Sequence, residues 1–107
     1  MWKIEGYKPV EGYKYVALNS NGIPYIIPTT MKVEELIIES NSFRWTPRRL
    51  YEEHPYLSLA QIFCALSYYH DHKDEIDNRI KLQMQLVSKM RKSENQKIRA
   101  EKFRQMR

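Results

Sequence analysis

A single cysteine, Cys64, excludes an internal disulfide and a zinc site built on several cysteines. Glycine is scarce as well: the chain has three, none in a Gly-rich phosphate-binding loop. Long apolar runs are missing. The longest, Tyr15–Leu18 and Ile62–Leu66, fall far below the ~18 residues a membrane span requires. Residues Met1–Glu5 lead into no apolar stretch, so neither a secretory signal nor a membrane anchor is expected and the cytosol is the expected compartment. What is present is a chain of 107 residues, 42% hydrophobic and 29% charged, in the range of one soluble globular domain.

Charge is unevenly placed. Residues 1–87 carry ten Lys/Arg against eleven Asp/Glu, and residues 88–107 carry eight against two, so the net +5 belongs to the last segment alone. The expected organisation is a domain over 1–87 followed by a basic C-terminal helix or tail over 88–107. A basic segment on a near-neutral body points to an anionic partner, nucleic acid or an acidic protein surface. The alternative is a frayed, solubilising terminus.

Two hexads open the chain, Glu5–Val10 and Glu11–Val16, too few copies for a solenoid. Tyr13–Leu18 and Tyr25–Ile27 flank the turn signal Asn19-Ser-Asn-Gly22, which predicts a short β-hairpin with Pro24 at its entry and Pro28 at its exit. Tyr13, Tyr15 and Tyr25 then read as cross-strand packing residues before they read as stacking platforms for bases. From Thr30 onward the apolar period becomes helical. Thr30 is expected to cap a first helix with Val33, Leu36, Ile37 and Ser40 on one face, ending at Asn41-Ser42. Thr46 and Pro47 start a second, short helix that Pro55 cannot continue. Ser58 and Gln61 form a capping box for a third helix, running to about His70. It is expected to bury Leu59, Ile62, Phe63, Leu66 and Tyr69 and to expose Gln61, Cys64 and Tyr68. A fourth helix, or a continuation, begins near Asp71–Asp74 with Ile76, Ile80, Val87 and Met90 on one stripe.

The chain therefore reads as mainly α, with a short N-terminal hairpin, a three-helix helix-turn-helix core and a long basic C-terminal helix or tail. Gln61 is the candidate base-reading side chain, and Arg48 and Arg49 are candidate phosphate contacts. Candidate protein contacts are Cys64 and Tyr68 on the third helix, with Ile98, Arg99, Lys102, Phe103 and Met106 in the basic segment. His70-Asp71-His72 is a poor metal motif, because histidines two apart on a helix point about 200° from each other. The paired carboxylates, such as Glu34-Glu35 and Glu52-Glu53, suit solvated helix faces. No metal, cofactor or catalytic residue is expected.

Several stretches match a known pattern: Gly22-Ile-Pro-Tyr-Ile, Thr29, Met31-Lys-Val33, Trp45-Thr-Pro47, His54-Pro-Tyr-Leu-Ser-Leu-Ala-Gln-Ile62 and Ala65-Leu-Ser-Tyr-Tyr-His-Asp-His72. Through them the segment from Tyr15 to about Ile80, some two thirds of the chain, resembles the bacterial family catalogued as domain of unknown function 433. The resemblance implies a homeodomain-like helix-turn-helix, an antitoxin role and a toxin partner of the PIN-like nuclease type, with operator DNA as a further ligand. Two positions depart from the family. Pro28-Thr29-Thr30 stands where the family usually has Gly-Thr-Arg, and Arg48-Arg49 where it favours two acidic residues. No role of that arginine is carried over. Two other readings stay open: a plain nucleic-acid-binding regulator without a toxin, and an oligomerisation module, such as a homodimer, pairing through Ile76, Ile80, Val87 and Met90.

Overall fold

Asn19 organises the turn that precedes Pro24. In the computed structural model, which describes the backbone of residues 6–105 and side chains as far as Arg91, its Oδ1 accepts the N–H groups of Asn21 and Ile23, both at 2.9 Å. Gly22 takes φ 76°, a left-handed conformation that a residue without Cβ adopts at no steric cost. The turn joins β2 (Val16–Leu18) to β3 (Pro24–Ile26), antiparallel in the register Val16↔Ile26, Ala17↔Tyr25, Leu18↔Pro24. Val16, Ala17 and Ile26 are buried. An additional strand, β1 (Lys8–Pro9), pairs with β2 and completes a three-stranded sheet of order β1-β2-β3. It arises from the first hexad, whose two exposed strand residues gave no alternating pattern to read.

Thr30 does not cap the first helix. The chain folds back after β3: the Thr29 hydroxyl donates to the Ile26 carbonyl and accepts the Met31 N–H at 3.1 Å, while Ile26 N–H reaches Met31 O at 2.8 Å. Those bonds hold Thr30 inside the turn. Helix α1 (Val33–Phe43) starts after it, with Lys32 at the N-cap and its N–H directed at the Glu35 carboxylate, 3.4 Å away. Val33, Leu36 and Ile37 are buried as their spacing requires, and Glu34 is buried beside them, its carboxylate 3.9 Å from Lys32 Nζ. The solvated face expected for Glu34 is thus not where it lies. Arg44 ends α1 in the left-handed conformation at φ 54°, the only non-glycine with positive φ among the described residues.

Helix α2 (Pro47–Glu53) begins as its sequence dictates, with Thr46 Oγ1 accepting the Arg49 N–H at 3.3 Å. Helix α3 (Leu59–Asp71) begins with the Ser58–Gln61 box: Gln61 N–H to Ser58 Oγ at 3.1 Å, Ser58 N–H to Gln61 Oε1 at 2.7 Å. Leu36, Ile37, Leu50, Leu57, Ile62 and Ala65 form the core where α1, α2 and α3 meet. Each fully buried Leu or Ile there contributes roughly 1.5–3 kcal/mol of transfer free energy. Helix α4 (Lys73–Gln105) follows directly. Contacts divide the chain into two units, Met1–Ile76 and Asp77–Arg107, so Ile76 closes the first and Ile80, Val87 and Met90 belong to the second. The molecule is mainly helical with a small sheet, and no described helix is long and apolar enough to cross a membrane.

Candidate functional site

Helix α3 is apolar on both sides, and its inward side is rotated from the expected one: Ile62 and Tyr69 are buried as expected, Leu59 and Phe63 are not. Gln61, Ile62, Ala65, Tyr68 and Tyr69 face the core, while Leu59 is 41% and Phe63 56% exposed. At 100° per residue the buried five span about 120° of the helix. Leu59 and Phe63 lie about 40° apart on the other side, with Ala60, Ser67 and His70 around them, all exposed. Apolar periodicity could not choose between the two arcs. Hydrogen bonding did. Gln61 Oε1 is held by Ser58, and Nε2 reaches the Ile27 carbonyl at 3.0 Å, so a polar side chain is satisfied at 7% exposure. Buried and engaged at both ends, Gln61 is turned away from the open face of α3.

The other two residues expected on the open face are turned in with it. Cys64 is half-buried, and its Sγ accepts the Tyr15 N–H at 3.5 Å. Tyr68 is buried, stacked on His72 with ring centroids 4.1 Å apart, and receives the edge of Tyr13 at 5.1 Å. Burial, then the negative charge of Glu75, raises the Tyr68 pKa. Tyr13 donates its hydroxyl to the Asp71 carboxylate. That bond, followed by desolvation and the charge of Asp71, pushes the Tyr13 phenol up to about 12. His72 directs Nδ1 at the Tyr68 carbonyl, 3.0 Å away. This cluster ties the segment before β2 to the end of α3. It is a structural knot that the His-Asp-His motif did not announce.

Arg48 and Arg49 stand exposed on α2, each facing carboxylates one turn away: Arg48 to Glu52 at 3.8 Å, Arg49 to Glu52 at 3.7 Å and to Glu53 at 3.0 Å. The Arg49 guanidinium also lies over the Trp45 ring, 5.6 Å from its centroid. Exposed pairs of this kind contribute ~0.2–1 kcal/mol, so a phosphate could still compete for either arginine. Helix α3 adds no cation to them, since residues 59–71 contain no Lys or Arg. The side chains of Ile98, Arg99, Lys102, Phe103 and Met106 lie outside the described residues, as do the other side chains beyond Arg91.

A second feature has no counterpart in the sequence reading. Glu39 on α1 bonds His54 Nε2, and His54 Nδ1 lies 2.9 Å from the Tyr56 hydroxyl, which reaches Met31 Sδ at 3.5 Å. Desolvation, then the charges of Glu39 and Glu35, raise the Tyr56 pKa. These groups line a cleft of about 420 Å³ that Thr30, Glu35 and Ile38 complete. The available signal was Glu35 and Glu39, four apart on one helix face. Their partners, from the turn before α1 and the link after α2, come together only in three dimensions. Among the described residues no group of His, Cys, Asp and Glu is placed to hold a metal ion. No family model matches the chain, and no curated protein or solved structure was found to match it.

Proposed function

We propose that the chain is an antitoxin-like adaptor, in which α2 and α3 form a helix-turn-helix and the outward face of α3 binds a toxin of the PIN-like nuclease type. The observation that carries this is the composition of that face. A helix that reads DNA presents polar and cationic side chains to base edges and phosphates. Here the corresponding surface is Leu59, Ala60, Phe63, Ser67 and His70, without Lys or Arg. Exposed Phe and Leu on one rigid helix are instead the anchors a protein partner uses, because each buries area in a pocket at low entropy cost. The resemblance in Gly22–Ile26, Trp45–Pro47 and His54–His72 supplies the nature of that partner. The contact surface on α3 moves accordingly, from Cys64 and Tyr68 to Leu59 and Phe63. The basic segment 88–107 is a second contact, suited by its charge to an acidic nuclease centre. On this proposal the chain is a binding protein, with operator DNA as a secondary ligand held through Arg48 and Arg49.

The test is co-expression with a PIN-like nuclease encoded beside this chain. The pair should co-elute, and the growth inhibition caused by the nuclease should disappear. Phe63→Glu should abolish co-elution while leaving the melting temperature within a few degrees of the parent. Co-elution that survives Phe63→Glu would place the contact elsewhere, and a nuclease that never co-elutes would end the toxin reading. Tight, sequence-selective binding of upstream DNA by the isolated chain would favour the regulator instead.

A further inference from the structure

The cleft between α1 and the α2–α3 link is built from three segments of chain, and in it two carboxylates meet a single imidazole, that of His54. Glu35 and Glu39 supply two carboxylates on one wall, and no Lys or Arg is among the described residues that line it. His54 engages Glu39. The Glu35 carboxylate accepts the Lys32 N–H through a long 3.4 Å bond. Facing them is the Tyr56 side chain, 60% exposed, its hydroxyl anchored by His54 and Met31. Ile38 and Met31 provide the apolar surface between. A volume of about 420 Å³ lies in the range that small ligands occupy.

We propose that this cleft binds an alkyl cation: a guanidinium or primary ammonium group on an aliphatic stem. The cationic head meets Glu35 and Glu39, a charge-assisted contact that neither a neutral nor an anionic ligand can make. The methylenes lie against the half-buried Ile38, which gains from losing water, beside the buried Met31. The exposed face of Tyr56 adds a cation–π contact at the mouth. Simple anions are excluded by the same carboxylates. The chemistry has two sources, a free amine or guanidine and an Arg or Lys side chain of a bound protein. The assignment stands apart from the toxin reading, since a chain that captures no nuclease can still bind a small cation.

The experiment titrates the full chain with n-butylguanidinium, with the capped peptide acetyl-Gly-Arg-Gly-amide, and with n-butylurea as the neutral analogue, followed by NMR. Butylguanidinium should saturate, shifting resonances of Glu35, Glu39 and Tyr56, while butylurea leaves them in place. Glu35→Gln should weaken binding by about twofold to fivefold without altering the melting temperature, the loss expected for one solvent-facing charge contact. Tyr56→Leu should weaken it as well, and serves as the second variant. An arginine peptide binding tenfold tighter than butylguanidinium identifies a protein side chain as the source, and the reverse order a free small molecule. The proposal is overturned if neither cation shifts these resonances at tens of millimolar. Equal binding of butylurea, or affinities unchanged in both variants, would overturn it too.

Discussion

Tyr13 shows how one side chain can report on the fold it holds. Its phenol donates to Asp71, and the neutral form is favoured up to about pH 12. The folded-state pKa is raised above the ordinary value of 10.0, so the stabilising contribution is full below that pH. It is lost as the pH climbs from there through the raised value. Ultraviolet titration at alkaline pH should therefore show phenols ionising late, Tyr56 and Tyr68 among them, and Tyr13→Phe should remove the component near pH 12. A component near pH 12 that persists in Tyr13→Phe would place that phenol elsewhere. Arg44 offers a second test. It ends α1 at φ 54°, a conformation in which a Cβ is strained and glycine is not. Arg44→Gly should stabilise the chain by roughly 0.5–1 kcal/mol in urea unfolding. Neither feature was legible in the sequence, where Tyr13 read as a strand residue and Arg44 gave no sign of a helix end. Gln61 was half legible. Its pairing with Ser58 follows from their spacing, whereas its bond to Ile27 depends on how the chain returns to the sheet.

At the scale of elements, starts were legible and faces were not. Thr46-Pro47 and Ser58–Gln61 are local signals, satisfied within one turn of helix, and the structure places α2 and α3 where they point. Thr30 carried the same kind of signal, but Thr29 and Met31 draw the backbone around it into a turn. Helix α3 is a case of too much hydrophobicity: with apolar residues around most of its circumference, the wheel has no unique inward side. The capping box gives a direct test. Ser58→Ala should cost roughly 0.5–2 kcal/mol. Gln61→Ala should cost more, because it also strands the Ile27 carbonyl. The double mutant should cost less than the sum of the two, since Ser58 and Gln61 act on each other. Additive losses would show that the box contributes nothing as a unit.

For the molecule as a whole, charge and core separate along the chain. The buried hydrophobic residues run from Val16 to Ile76, and the excess positive charge follows Val87. Truncation after Val87 takes the net charge from +5 to −1. It should leave the melting temperature nearly unchanged and abolish retention on a heparin column at moderate salt. A large drop in melting temperature would show that the basic segment supports the core. The uneven charge was plain from the sequence. The cleft at Glu39 and His54 was not, because it needs residues from three separate segments, and no local pattern encodes their meeting. The Gln61–Ile27 bond carries a further consequence, for the order in which the molecule assembles. It closes a loop of 34 residues, and the Tyr13–Asp71 bond closes one of 58. The difference in closure entropy is only about 0.5 kcal/mol, so loop length does not rank the two events. Burial does. The glutamine amide is locked among core side chains that the folding nucleus must gather, whereas the phenol docks at the surface once α3 is complete. Tyr13→Phe should thus speed unfolding and leave the folding rate unchanged, while Gln61→Ala should slow folding itself. Those rates would make the N-terminal segment the last part of the fold to latch and the first to release.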